Sequence, residues 1–184
     1  MRNSIVVLIS LFIVGCGEST KENNPVIEEE IEEIVRNPIN VVEGDDISVE
    51  VYDFETIQPF LNKKNDKVNV INFWATWCKP CVAELPYFED LGEKDPDVEI
   101  TLISLDFPKM IDEQVIPFIK ENELKSEVIV LDDPNGNEWI PKIDPDWSGA
   151  IPATIIYNQE ESTFYEQSFT FEELEKEVNK FKTK

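Results

Sequence analysis

An α/β domain is what this sequence predicts, and three observations carry the prediction. Short apolar runs such as Val68–Trp74 and Val98–Leu105 alternate with stretches whose apolar residues recur at helical spacing. The first of those runs leads directly into Trp77-Cys78-Lys79-Pro80-Cys81, where a buried strand hands over to a helix. Composition agrees: 184 residues, 41% hydrophobic and 30% charged, suit one globular core with a tether and exclude a polytopic membrane protein.

From the N-terminus, residues 1–15 read as an export signal, with Arg2 at the start and an apolar stretch from Ile5 to Val14 broken by Ser10. That stretch is shorter than the roughly 20 apolar residues a bilayer span takes. Residues 16–38 are polar and acidic, and runs such as Glu28-Glu29-Glu30 favour an extended, self-repelling tether. Ile27, Ile31 and Ile34 also fall at helical spacing, so a short amphipathic helix is the alternative there. The folded domain is expected over 39–184.

Within it, β-rich Ile39–Val42 and Ile47–Tyr52 flank Glu43-Gly44-Asp45-Asp46, which reads as a hairpin. A helix over 54–64 follows, then strand Val68–Trp74, a helix carrying the cysteines to about Lys94, and strand Val98–Leu105. Val115, Phe118, Ile119 and Asn122 mark a helix face in 111–123, Val128–Leu131 is a short strand, and Asn137–Ile143 is a short helix. Ala153–Tyr157 and Ser162–Phe169 read as adjacent antiparallel strands, and Phe171, Leu174, Val178 and Phe181 give the last helix one apolar stripe. Pro86, inside the cysteine helix, is expected to kink it.

Sixteen basic against 39 acidic residues leave a net charge of −23, which repels nucleic acid and would draw in a basic protein. A solvated acidic surface accounts for the same balance. The three cysteines are Cys16, Cys78 and Cys81, and there is no histidine. Zinc takes about four ligands, more than two thiolates supply, so no metal is expected and nothing calls for an organic cofactor. Residues three apart on a helix hold their Cβ atoms about 5–6 Å apart, and a disulfide needs Cα atoms within about 4.4–6.8 Å. Cys78 and Cys81 can therefore close and open without unfolding anything.

Two resemblances rest on these motifs. Ile13-Val14-Gly15-Cys16 matches the lipobox of bacterial lipoproteins, which implies that Cys16 becomes the acylated N-terminus of the mature chain, anchored in the cell envelope. Phe73 to Cys81, with Pro86 five residues beyond Cys81 and Ile151-Pro152-Ala153-Thr154 far downstream, resembles thioredoxin. The likeness is closer to membrane-anchored thiol-disulfide oxidoreductases of the TlpA/ResA type, and it covers about 45–184. It implies a thioredoxin-like fold: a central mixed sheet flanked by helices, an N-terminal hairpin, and an inserted αβ segment at 111–131.

The resemblance also assigns roles. Cys78, at the helix start, is the nucleophile, because unpaired N–H groups and the helix dipole favour its thiolate and Lys79 adds positive charge. Cys81, one turn deeper, resolves the mixed disulfide. Thioredoxin places a buried aspartate six residues before the nucleophile; here that position is Asn72. In the TlpA/ResA type a glutamate three residues after the second cysteine is the functional acid, which corresponds to Glu84. Ile151-Pro152 is the expected cis bond, in a loop that lies against the cysteines and pairs with an extended substrate segment. Trp77 and Pro80 would border that surface, as would Trp147, for which plain packing is the equal alternative.

By resemblance, then, the chain is an extracytoplasmic reductase of disulfides in envelope proteins, re-reduced by a membrane thiol-electron transporter. Pro80 occupies the second intervening position, as in the thioredoxin-like group, whereas the oxidising DsbA group carries proline first. Apocytochrome c is one client of the family. An oxidase or isomerase using the same cysteines is the alternative, as is a non-enzymatic acidic binding module. A peroxiredoxin-type peroxidase needs Thr or Ser three residues before its cysteine, where this chain has Ala75.

Overall fold

The computed structural model describes residues 35–182. Seven strands form one mixed sheet: β1 Asn40–Glu43, β2 Ser48–Tyr52, β3 Val68–Trp74, β4 Val98–Ser104, β5 Glu127–Leu131, β6 Ala153–Tyr157 and β7 Ser162–Tyr165. Their spatial order is β1-β2-β5-β4-β3-β6-β7. β1 and β2 make the expected hairpin, β2, β5, β4 and β3 run parallel, β6 is antiparallel to β3, and β7 is antiparallel to β6. All seven residues of β3 are buried, as its near-continuous apolar run requires of a strand covered on both faces.

Because strand side chains alternate between faces, β3 splits its residues between two cores. Val70 and Trp74 join Leu102 of β4 beneath helices α2 (Lys79–Lys94) and α5 (Phe171–Val178), which contribute Leu85, Phe88, Leu91, Leu174 and Val178. Ile71 and Phe73 face the other way, with Ile103, against Phe60 of α1 (Gln58–Leu61) and Trp139 of α4 (Gly136–Ile143). The inserted segment supplies α3 (Ile116–Glu121) and β5, and Ile116 and Ile119 pack on Val49, Val51 and Val130.

Several boundaries differ from the sequence expectation, the last helix ending at Val178 before Phe181 among them, and three differ for a clear local reason. The helix expected over 54–64 shrinks to Gln58–Leu61, because Asp53 and Thr56 close a side-chain-capped turn first: the Thr56 N–H and hydroxyl both donate to Asp53 Oδ1 at 2.8 Å. The strand expected over 162–169 ends at Tyr165; Glu166 turns back to accept from the Ser148 N–H, and the Phe169 N–H goes to Glu84. The helix expected over 111–123 opens as a wide π turn at Ile111–Val115, where the Ile116 N–H reaches back to the Ile111 carbonyl. Pro117, which has no N–H, then sits in the first turn of α3, where none is needed. α2 runs through the exposed Pro86 as one helix.

α5 closes the core over α2 and begins with a capping box, in which Thr170 Oγ1 accepts from the Glu173 N–H at 3.3 Å and Glu173 Oε2 accepts from the Thr170 N–H at 3.0 Å. Thr170→Ala is expected to lower stability by about 1 kcal/mol, read as a lower urea midpoint at unchanged slope. An unchanged midpoint would show that α5 does not depend on this cap.

Candidate active site

β3 ends at Trp74, and the chain turns through Ala75–Trp77, with the Cys78 N–H donating to the Ala75 carbonyl at 3.0 Å. Cys78 is the N-cap of α2 in extended backbone, and its Sγ accepts from the Cys81 N–H at 3.4 Å. A helix leaves its first N–H groups unpaired, so the sulfur occupies the place a serine or aspartate oxygen usually fills. Pro80 sits in the first turn and removes no needed donor. The two sulfurs form a disulfide with Cα atoms 5.3 Å apart. Their settings differ: Cys78 keeps 6% of its surface at the solvent and Cys81 none. Around them Lys79 and Pro80 are exposed, and Trp77 is 61% exposed.

The second wall comes from the loop before β6. The Ile151-Pro152 peptide bond is cis, and the Ile151 carbonyl oxygen lies 3.7 Å from Cys78 Sγ. Ile151 is half-buried and Pro152 buried. Trp147 does not border the open surface. It is buried against Phe73, Trp139 and Phe164, with ring centroids 5.0, 5.7 and 5.4 Å away, and its Nε1–H donates to the Ala150 carbonyl at 2.8 Å. It therefore holds the cis-proline loop from beneath.

Behind the disulfide lies Glu84, 1% exposed and three residues after Cys81 on α2. Its Oε1 accepts from Asn72 Nδ2 at 3.0 Å, and its Oε2 from the Phe169 N–H at 2.7 Å. Burial among apolar residues raises its pKa from the ordinary 4.5 to about 7, and the two hydrogen bonds offset only part of that rise. Residues three apart on a helix share a face, so Glu84 sits on the inner side of α2 with Cys81.

One buried carboxylate escaped the sequence reading. Asp106, just past β4, accepts from the Thr76 N–H at 2.8 Å, from Thr76 Oγ1 at 2.6 Å and from Ser104 Oγ at 2.8 Å. It pins the turn that leads into Trp77 and Cys78. Phe107 follows, 66% exposed. The signal was positional: functional groups of parallel sheets gather beyond the carboxyl ends of the strands, and Asp106 stands there on the neighbour of β3.

Cys16 and residues 1–34 lie outside the described residues. In 35–38 there is neither helix nor strand, and Arg36 pairs with Glu50 and Glu127. Among the described residues no cluster of His, Cys, Asp or Glu has the makings of a metal site, and no helix is long and apolar enough to cross a membrane.

Comparison with known proteins fits this geometry. The model of the AhpC/TSA family matches residues 45–162. The thiol-disulfide oxidoreductase ResA of Oceanobacillus iheyensis is 45% identical over 80 residues, 42% of this chain and 38% of that protein. The ResA of Bacillus thuringiensis subsp. konkukian is 32% identical over 124 residues, 67% of this chain and 66% of that protein. The chain thus spans from 38% to 66% of the length of these relatives. The crystal structure of StoA from Bacillus subtilis shares the fold, with a TM-score of 0.50 at 23% identity over 78% of this chain and 98% of that one. Since the matched span runs from the hairpin through the cysteine motif to the cis-proline strand, the chain belongs to the AhpC/TSA family, with ResA thiol-disulfide oxidoreductases among its relatives.

Proposed function

We propose that this protein is a thiol-disulfide oxidoreductase that reduces disulfides of envelope proteins through Cys78 and Cys81. One observation carries the reading: two chemically identical residues have been given unlike settings. Cys78 caps a helix, keeps a 6% exposed edge and receives an N–H, while Cys81 is fully buried, one turn from a buried carboxyl.

In the reduced protein the Cys78 thiolate attacks one sulfur of a client disulfide, and the other client sulfur leaves and takes up a proton. The Cys81 thiol then passes its proton to Glu84 and attacks Cys78 Sγ. This step forms the Cys78–Cys81 disulfide and releases the second client sulfur as a thiol; two electrons have moved to the client. A carboxyl near pH 7 can both accept and return a proton at neutrality. The client is a segment lying along the Ile151-Pro152 loop, bordered by Trp77 and Pro80, with its sulfur directed at Cys78.

Placement in the cell follows from the sequence motifs: signal 1–15, lipidated Cys16, acidic tether 16–38 and a thioredoxin-like domain over 39–184, on the extracytoplasmic face. A membrane thiol-electron transporter would restore the dithiol. The ResA relatives support the chemistry by name but give no direction. Pro80 in the second intervening position supports reduction over oxidation. A redox equilibrium with glutathione near about −120 mV, the oxidising end of the family range, would reverse that direction and favour the oxidase or isomerase reading.

Cys81→Ser is expected to freeze the mixed disulfide, so that dithiothreitol releases a covalent client from Cys78 after incubation with insulin or an envelope extract. Recovery of no covalent partner from either would contradict the reading. Glu84 supplies a second test in the oxidised protein. Its neutral form is favoured in the fold, so folding binds a proton between pH 4.5 and about 7, and stability falls as pH rises through that window. Relative to Glu84→Gln, the native chain should lose on the order of 3 kcal/mol between pH 4 and pH 8. Parallel stability curves for the two proteins would mean that Glu84 titrates as an ordinary surface carboxyl.

A further inference from the structure

Asn72 is fully buried in the middle of β3, and Thr154 is its direct partner on β6. Paired residues on neighbouring strands project to the same face, here the face covered by α2. A single amide nitrogen serves both neighbours: Asn72 Nδ2 donates to Glu84 Oε1 at 3.0 Å and to Thr154 Oγ1 at 3.1 Å. The Asn72 carbonyl oxygen, in contrast, has no hydrogen-bond partner among the described residues. A buried acceptor left idle is costly and calls for an explanation.

Glu84 provides it. Both of its oxygens meet donors, Asn72 Nδ2 and the Phe169 N–H, a set that suits a carboxylate. Once protonated, the carboxyl brings a hydrogen of its own and needs an acceptor instead. A half-turn of the Asn72 amide would exchange its two ends. Oδ1 would then stand where Nδ2 stood and accept the Glu84 hydrogen. It would also accept the Thr154 hydroxyl hydrogen, which donates to no described group in the present arrangement, while Nδ2 would take over the place where Oδ1 now has no partner. The carboxylate and the carboxylic acid thus each select one orientation of the same side chain.

We propose that Asn72 is a positioning residue whose side-chain amide turns over when Glu84 takes up a proton, offering Nδ2 to the charged form and Oδ1 to the neutral one. The inference rests on the reading in which Glu84 takes the Cys81 proton, and it explains how a dry site holds both forms of that carboxyl. The groups that face Glu84 are Asn72 from β3, Thr154 of β6 through it, the Phe169 N–H from the segment before α5, and the cysteine pair on its own helix. No charged side chain acts on it.

The test is NMR on the oxidised native protein between pH 4 and pH 9, where neither cysteine of the active-site pair titrates. The nuclear Overhauser effect between the Asn72 amide hydrogens and the Thr154 side chain should be strong when Glu84 is charged and weaken several-fold with the midpoint of the Glu84 carboxyl carbon. An unchanged intensity while Glu84 titrates overturns the proposal. Asn72→Leu removes both the donor and the acceptor. The charged form then loses the stronger, charge-assisted bond, so the proton affinity of Glu84 should rise about tenfold. An unchanged or lower affinity also overturns it, and the native-protein measurement decides if the variant does not fold. Neither readout involves a client, so a failed trap with Cys81→Ser and a fixed Asn72 amide are separate results.

Discussion

The hydrogen bond from the Cys81 N–H to Cys78 Sγ depends on where β3 stops and α2 starts. Val68–Trp74 is apolar on both sides and is therefore driven to the centre of the sheet. Its end brings the chain to the carboxyl edge, where the turn Ala75–Trp77 leaves room for one capping residue before the helix. That residue is Cys78. A sulfur at an N-cap sees the unpaired N–H groups and positive end of the helix, and the proposed chemistry draws on that setting to favour the thiolate at Cys78 over Cys81. The remainder of the active face maintains this junction: Asp106 pins the preceding turn through Thr76, and Trp147 holds the Ala150 carbonyl beside the cis-proline loop.

Burial of Glu84 works against stability and serves the proposed chemistry. A fully buried carboxyl resists ionisation, yet two donors keep the charged form accessible. The balance brings its titration to about pH 7. Thioredoxin-type proteins with aspartate at the Asn72 position would place the acid on the strand; here the acid is on the helix and the strand supplies an amide. The carboxyl thus reaches the core from the helix, and Asn72 meets it from the strand, with Nδ2 donating to Glu84 Oε1 at 3.0 Å.

Elements fixed by local pattern were legible in the sequence. β3, α2 and the cysteine motif could be read from one contiguous stretch, and the last helix from one stripe of apolar residues, although its cap was not read and Phe181 falls beyond its end. Boundaries governed by side chains were not: Asp53 and Thr56 outbid the helix at 54–57, and the donor demand of Glu84 helps to end the strand after Tyr165. Within the site, Cys78 and Cys81 were readable from spacing, whereas Glu84 and the cis bond came from resemblance to a family. Asp106, the Phe169 N–H and the Asn72–Thr154 pair were out of reach, because each meets its partner across 30 or more residues of chain. Only the sheet register brings them together. Trp147 was poised between packing and surface until the structure placed it in the core.

The claim on which the account turns is that Cys78 is an acidic thiol and Cys81 is not. Alkylation of the reduced protein across a pH range, with mass spectrometry resolving the two cysteines, measures this directly. The account predicts a Cys78 midpoint within about 3.5–7.5 and a Cys81 that stays unreactive below about pH 8.5. A Cys78 midpoint at the ordinary thiol value of about 8.5, or faster modification of Cys81, would contradict it.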